Sequence, residues 1–442
     1  MDFSSGSLWK KIWLFSVPLM FSNILQVIFN MADVAVVGKF AGSIALGAVG
    51  STSVLLTLFI GVLLGLASGV NTLTALYLGA KDEKKVRETV HTAVIICFAV
   101  GLLIMAIGVA FAHDILAFLK TKDELISDAS IYLRIYLLGM PAMGLYNFGN
   151  AVLSAAGDTK RPLYYLMFAG IINVVLNLFF VIVFKWGVVG VALASIIAQY
   201  TSAFLIIRVL LKSKEIYHLQ LKHLKITPNK MKSILRIGIP SAFQYAIFAI
   251  ANLFVQASVN SFDHVIVEGN SAAANADPLV YDMMAAFYTA CTSFMAQNLG
   301  AKKKDRVLKS YFICTVYSFM IGLILGGSLY LFRDAFLGMF TNDSAVVVAG
   351  TQRLGIMALS YCVSAFMDCT IAASRGLGKS IMPTIIVIMG SCVFRIIWIY
   401  TVFAHFRTIE SLYILYVFSW VITAIAEVIY FIWAYRKADY RY

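Results

Sequence analysis

Apolar stretches of twenty or more residues recur along this chain of 442 residues from one end to the other. At a rise of 1.5 Å per residue, each stretch is long enough to cross a hydrocarbon core about 30 Å thick. A spanning segment must satisfy its backbone hydrogen bonds internally, and these stretches are too long and too uniformly apolar for the alternating strands of a barrel. The sequence therefore predicts an all-α integral membrane protein.

The composition excludes a soluble protein. Apolar residues make up 61% of the chain and charged residues only 13%, whereas soluble domains are about 45–50% apolar even with glycine counted. The first residues pass directly into an apolar run without a small-residue cleavage site, so we interpret them as a retained first helix. The six cysteines lie inside apolar runs without a CxxC pair and are interpreted as small buried side chains.

Twelve spans are predicted along the chain. They cover residues 12–37, 45–78, 91–112, 131–153, 163–184, 188–211, 234–260, 271–299, 311–332, 351–373, 382–404 and 411–435. If the N-terminus lies inside, 26 of the 35 Lys and Arg residues fall on the cytoplasmic side and six on the other. The positive-inside rule then predicts that both termini are cytoplasmic, with the plasma membrane as the expected location. The net charge of +13 is thereby attributed to orientation and anionic lipid, not to nucleic-acid binding.

The two halves of the chain repeat each other. LGAKDEKKV at residues 78–86 recurs as LGAKKKDRV at 299–307, an offset of 221, and the same offset carries Gly157 onto Gly378. A shift of one more residue carries Pro18 onto Pro240. The longest polar stretch separates the two copies, which predicts an N-terminal lobe at 1–211, a cytoplasmic linker at 212–233 and a C-terminal lobe at 234–442. Because each lobe has an even number of spans, the repeat is expected to be parallel, with a pseudo-two-fold axis along the membrane normal.

Several motifs together resemble one transporter family. SVPLMFSNILQVIFNMADVAVVGKFAG in the first span has a proline followed fifteen positions later by an acid, here Pro18 and Asp33. LGAKDEKKVRETV, LSAAGDTKRPLYYLMFAGIINVVLNL and MAQNLGAKKKDRV follow in order. The chain resembles the multidrug and toxic compound extrusion family of cation-coupled exporters over essentially all twelve spans.

Asp33 is the first candidate for the coupling chemistry. A carboxylate inside a membrane span is costly to keep charged, so it tends to take up a proton or to hold a cation. Asn173 and Asn177 are four residues apart and share a helix face, where their oxygens can serve Na⁺ or hydrogen-bond a carboxyl group. The resemblance implies that Asp33 accepts H⁺ or Na⁺ and that Asn173, Asn177 and Ser195 are its partners. The alternative for these three is ordinary hydrogen bonding between membrane helices.

The C-terminal half contains further polar candidates for substrate charge or a second site. They are Asp282, Asp368, Arg395, Glu427 and Gln244. Intramembrane charges are expected to face protein or water, with Arg395 a candidate to pair with one of the acids. Some members of the family have an acid on the seventh span, where this chain has amides only, and this departure leaves a cation site in the second half an open question. No metal site is predicted beyond Na⁺ at Asp33, Asn173 and Asn177.

The predicted function is export of amphipathic organic cations in exchange for H⁺ or Na⁺, by alternating access. Pro18 interrupts the first helix and is the predicted hinge, with a static kink as the alternative. A flippase for a lipid-linked oligosaccharide is the second candidate, which we expect to need more cations along its path. An enzyme is disfavoured, because the histidines lie in loops or near span ends and neither HExxH nor GxSxG occurs. We expect no cofactor, contact with membrane lipid, and a monomer.

Overall fold

The computed structural model of the protein describes residues 2–438; Met1 and the last four residues of the predicted C-terminal lobe lie outside them. All regular structure among the described residues is helical. Within residues 2–438, ten helices are long and apolar enough to span a membrane, and two further spans are each made of two shorter helices. Each of the twelve predicted spans corresponds to one of these.

The spans are numbered α1 to α12 along the chain. In the first half they are α1 at Leu8–Ala41, α2 at Ser43–Gly79, α3 at Glu83–Phe118, α4 at Asp123–Leu137 with Met140–Ala155, α5 at Lys160–Val183 and α6 at Gly187–Lys212. In the second half they are α7 at Pro228–Val259, α8 at His264–Ala274 with Ala276–Gly300, α9 at Lys304–Leu331, α10 at Ser344–Gly376, α11 at Ile381–Phe406 and α12 at Ile409–Arg436. Short helices at Leu221–His223 and Arg333–Leu337 lie between them.

Prolines account for the two divided spans. Pro141 follows the break in α4 and has no N–H to donate to the carbonyl of Leu137, the last residue of the first piece. Pro278 stands in the same relation to Ala274 in α8. Each break therefore falls where an i→i−4 hydrogen bond cannot form.

The predicted duplication is visible in the backbone of the turns. Lys81 and Lys302 end the paired LGAK turns with φ values of 55° and 60°, and Gly157 and Gly378 have φ values of 84° and 74°. Both pairs are separated by the offset of 221 found in the sequence. The same left-handed residue therefore ends the corresponding helix in each half, with glycine in the second pair because it adopts positive φ without strain.

By internal contacts the chain divides into two compact units. The first unit is built around Phe21–Ala242, and the second contains Phe3–Met20 and the chain from Phe243 onward. The assignment changes three residues after Pro18 in α1 and three residues after Pro240 in α7. These units differ from the predicted lobes, because the start of α1 groups with the second half and the start of α7 with the first.

The polar stretch predicted as a linker is folded against the first unit. Tyr217 and Leu219 are buried in the same apolar cluster as residues of α2, α3 and α4. The backbone N–H of Gln220 donates to Nε2 of His91 at 3.0 Å, and that of Thr227 donates to the hydroxyl of Thr92 at 3.0 Å. Contacts of this kind depend on tertiary packing and leave no mark in the hydropathy of the stretch.

Candidate functional site

Asp33 lies in the last turns of α1, where an otherwise apolar helix changes into a π-helical turn at Val37–Ala41. Its carboxyl group is partly buried and faces α5, where the side-chain amide of Asn177 donates a hydrogen bond to Oδ1 of Asp33. The acid is therefore held by a side chain of α5.

The close approach of α1 and α5 is made possible by a glycine. The ring of Phe29, one helical turn before Asp33, lies over Gly170, and a Cβ at that position would overlap the ring. Asn173 and Asn177 follow Gly170 by three and seven residues and so lie on the same helix face. The Phe29–Gly170 contact thus sets the height at which Asp33 meets the two asparagines.

The structure brings all four predicted first-half residues into one hydrogen-bonded chain. Asn177 Nδ2 also approaches Oδ1 of Asn173 at 3.4 Å, and Nδ2 of Asn173 donates to the hydroxyl of Ser195 on α6 at 3.4 Å. Both asparagines and the serine are buried, with exposed fractions of 6%, 0% and 6%. Carboxylate, amide and hydroxyl oxygens from three helices therefore converge on one place.

Two acceptor oxygens in this region have no hydrogen-bond donor among the described residues. They are Oδ1 of Asn177 and Oε1 of Gln199, and both are buried. Gln199 lies one turn after Ser195 on α6, and Tyr136 of α4 lies beside Gln199 and near Asp33. Buried acceptors are normally satisfied, so a set of unpaired hard oxygens next to a carboxyl group fits a cation such as Na⁺ or a protonated acid.

Gln199 and Tyr136 were not predicted as site residues. Gln199 could have been selected from its spacing, because it follows Ser195 by four residues and residues four apart share a helix face. Tyr136 sits in the first piece of α4, just before the proline-dependent break, and nothing in its local sequence separates it from neighbouring apolar residues.

In the second unit, Arg395 of α11 is almost completely buried. Its Nη1 donates to Oδ1 of Asn252 at 3.0 Å, its Nε to the hydroxyl of Ser419 at 3.3 Å, and its guanidinium lies 4.5 Å from the ring centroid of Tyr416. No carboxylate among the described residues lies within 4.0 Å of it. The expected pairing with an acid is therefore replaced by neutral hydrogen bonds and a cation–π contact.

The buried ion pair of this unit involves residues that sequence reasoning did not select. Arg353 of α10 donates from Nη2 to Oδ2 of Asp277 on α8 at 2.6 Å, and from Nη1 to the carbonyl of Asn270 at 3.3 Å. The hydroxyl of Tyr361 donates to the other oxygen of Asp277. Asp277 thus neutralises an arginine that would otherwise be buried alone.

Of the remaining candidates of the second unit, Asp368, Glu427 and Gln244 lie around Arg375 of α10. Asp282 of α8 is partly buried. Asp368 of α10 lies near Tyr288, Arg375 and Arg395. Gln244 of α7 accepts a hydrogen bond from Nη2 of Arg375, and Glu427 of α12 is completely buried. Among the described residues, these three are therefore related through Arg375, and not by the direct side-chain hydrogen bonds that join Asp33, Asn173, Asn177 and Ser195.

A direct prediction follows from the Phe29–Gly170 contact. In the variant Gly170→Leu, the new side chain needs the space of the Phe29 ring, and overpacking of this kind costs about 1–3 kcal/mol. We expect α1 to be displaced from α5 and the predicted export activity, assayed with a lipophilic cationic dye, to fall. The readout is efflux at matched membrane expression.

The control is Gly50→Leu on α2, where no atom lies within 4 Å of the position that a Cβ would take. That variant should transport like wild type. Adding Phe29→Ala to Gly170→Leu should recover part of the activity, and equal activity of Gly170→Leu and Gly50→Leu would contradict the assigned contact.

The chain matches a family model and is similar in sequence to named proteins. The family model described as MatE matches residues 18–179 and 240–401. The chain is 27% identical over 396 residues to the probable multidrug resistance protein YoeA of Bacillus subtilis, covering 88% of this chain and 85% of that one. It is 28% identical over 360 residues to the probable multidrug resistance protein YpnP of the same organism, covering 81% and 80%.

Among solved structures, the fold is similar to that of a multidrug resistance MATE family transporter of the MOP superfamily in an outward-facing conformation. The TM-score is 0.92 with 22% sequence identity, covering 98% of this chain and 97% of that chain. This likeness confirms the predicted fold class, an all-α membrane protein with twelve transmembrane helices.

Proposed function

Because the chain belongs to the MatE family of multidrug and toxic compound extrusion transporters, we propose that it exports amphipathic organic cations in exchange for H⁺ or Na⁺. The observation that carries this proposal is the contact of Asp33 with Asn177 within a buried network of hard oxygens. Relatives named as multidrug resistance proteins support the substrate class. Members of this family are transporters and not enzymes.

The coupling ion is proposed to bind at Asp33. The negative charge of the acid can be neutralised in two ways. A proton can bind to the carboxyl group, or Na⁺ can be held by oxygens of Asp33, Asn173, Asn177 and Ser195. Oδ1 of Asn177 accepts no hydrogen bond among the described residues and is therefore available to such an ion. Since a ligand shifts a conformational equilibrium only through its different affinity for the two states, the cation favours one state and the organic substrate the other.

Pro18 is proposed as the hinge of this exchange. It lies inside α1, where it removes an i→i−4 hydrogen bond, and the assignment of the chain to the two compact units changes three residues later. Asp33 is on the same helix, beyond that point. A change in the bend at Pro18 is thus a direct way to connect the charge of Asp33 with the conformation of α1.

The remaining features of the proposal come from the sequence. The distribution of Lys and Arg supports a plasma-membrane protein with both termini in the cytoplasm. We propose that the protein works as a monomer in contact with membrane lipid and without a cofactor. The substrates are amphipathic, because membrane-embedded acids provide charge recognition while the aromatic and methionine-rich interior accepts varied apolar shapes.

One observation favours a second candidate function. Besides Arg395, Arg353 is buried and Arg375 is partly buried within α10, so the second unit contains more intramembrane cations than the sequence suggested. A flippase for a lipid-linked oligosaccharide would use such cations to hold a polyanionic head group. Asp277 neutralises Arg353, however, and this pairing leaves fewer cations for such a ligand.

The test is efflux of a lipophilic cationic dye from proteoliposomes containing the purified protein, with proton and sodium gradients imposed separately. We expect uphill movement of the dye with at least one of the two gradients and none without them. Dye movement that ignores both gradients would contradict cation exchange. Inhibition by a lipid-linked oligosaccharide, with no dye transport, would favour the flippase.

A further inference from the structure

Glu427 is the most unusual ionisable side chain of the second unit. It lies in the last third of α12, its exposed fraction is 0%, and neither carboxyl oxygen has a hydrogen-bond partner among the described residues. An ionised carboxylate removed from water without a donor is very unfavourable, whereas a protonated carboxylic acid carries no net charge into the apolar interior. The geometry therefore favours the acid form.

A cation that can neutralise Glu427 is close to it. Arg375, near the end of α10, interacts electrostatically with both Glu427 and Asp368. Its guanidinium donates from Nη2 to Oε1 of Gln244 on α7, while its buried Nε has no partner among the described residues. Arg375 is thus turned toward a neutral amide and retains donors that a carboxylate can accept.

The other groups around Glu427 leave Arg375 as its main partner. On its own helix the nearest titratable group is Tyr430. From α9, Tyr311 packs against Phe431 and bonds to Thr370. From α11, Ser391 bonds to Thr423, one turn before Glu427.

Asp368 is the other acid of this region, and its surroundings differ. It lies beside Tyr288 and near both Arg375 and Arg395, while the nearby hydroxyl of Ser364 donates to the carbonyl of Tyr361 at 2.9 Å. An ionised Asp368 is therefore stabilised by two cations, whereas Glu427 is coupled to one that is engaged elsewhere. This asymmetry assigns the proton to Glu427.

We propose that Glu427 carries a proton in this conformation and gives it up to water when the guanidinium of Arg375 leaves Gln244 and pairs with the carboxylate. The ligand of this second site is H⁺, and its release leaves a neutral Glu427–Arg375 ion pair. The location of the proton stands independently of transport, while its use as a coupling ion rests on the proposed function. The chain would then have one cation site in each half, although the seventh span contains no acid.

Infrared spectroscopy of the purified protein at neutral pH tests where the proton sits. The difference spectrum between wild type and Glu427→Gln should show the loss of one carboxylic-acid C=O band. Glu427→Asp, which retains a carboxylic acid, should restore a band there. The matched control is Glu410→Gln in the first turn of the same helix, where the side chain is exposed and no such band should be lost. If Glu427→Gln melts like wild type and its difference spectrum shows no loss of a carboxylic-acid band, the proposal is overturned.

The role of Arg375 has its own readout. In Arg375→Gln the cation that stabilises the ionised acid is absent, so the carboxylic-acid band should persist to higher pH than in wild type. An unchanged pH profile of the band would overturn the proposed exchange of partners.

Transport then separates this inference from the proposed function. With proton coupling at both sites, Glu427→Gln should exchange one proton fewer per dye molecule than wild type in proteoliposomes. An unchanged ratio would overturn the coupling role of Glu427 while leaving cation exchange at Asp33 in place. If wild-type dye movement ignores both gradients, the proposed function and that coupling role are contradicted together, and the band at Glu427 alone decides the location of the proton.

Discussion

Replacing Asp33 by asparagine is expected to remove most of the gradient-driven efflux. Asparagine keeps the size of the side chain and can still hydrogen-bond Asn177, but it can neither bind a proton nor neutralise Na⁺. A cation whose binding no longer differs between the two conformations cannot shift their equilibrium. The measurement is uphill dye efflux in proteoliposomes with an imposed proton or sodium gradient.

The control for this variant is Asp114→Asn on α3, an exposed acid outside the network. It should transport like wild type. Melting curves must show that Asp33→Asn is folded, and dye binding to the purified variant should persist. Near-normal uphill efflux in a folded Asp33→Asn protein would exclude the assigned role of this acid.

The largest expected effect on stability comes from the buried ion pair of the second unit. In Asp277→Asn, the hydrogen bond from Tyr361 can remain, but Arg353 keeps its charge with only 6% of its side chain exposed. Breaking a buried pair on one side costs about 3–5 kcal/mol, and we expect the lower end because Asp277 itself is partly exposed. The free energy of unfolding and the melting temperature should both fall.

The chain contains its own reporter for this measurement. All six cysteines are free and buried, so a thiol-reactive fluorophore should label them only as the protein unfolds. The double variant Asp277→Leu with Arg353→Met should recover most of the loss, because no unpaired charge remains. Glu83→Gln, which breaks the exposed Arg87–Glu83 pair of 3.9 Å, is the control and should have little effect. Equal melting of Asp277→Asn and Glu83→Gln would show that Arg353 does not depend on Asp277.

Much of the fold could be predicted from the sequence because the membrane imposes simple rules. Spans follow from length and hydropathy, and the offset of 221 that indicated a duplication reappears as positive φ at Lys81 and Lys302. The exchange of helix starts between the two compact units was not predictable in this way. It depends on which surfaces Phe3–Met20 and the start of α7 contact, and neither hydropathy nor charge encodes that choice.

In the candidate site, too, some residues could be predicted from the sequence and others could not. Asp33 is an acid in an apolar span, and Asn173 with Asn177 has helical spacing, so these residues could be selected from local pattern alone. The Asp277–Arg353 pair was missed because its members are separated by 76 residues, and each lies near a span end, where a charge is unremarkable. Glu427 was selected, but its missing hydrogen-bond partners depend on the packing of α9, α10 and α11 around it.

Dye binding to the purified protein, measured over a range of pH and of Na⁺ at constant ionic strength, tests whether Asp33 couples cation binding to substrate binding. If the cation and the dye favour different conformations, thermodynamic linkage requires that the cation lowers the affinity for the dye. Typical coupling free energies correspond to a change in affinity of about 5- to 150-fold. We predict such a decrease in wild type with rising H⁺ or Na⁺ concentration, and loss of most of it in Asp33→Asn. Dye affinity that depends on the cations equally in wild type and Asp33→Asn would contradict the account.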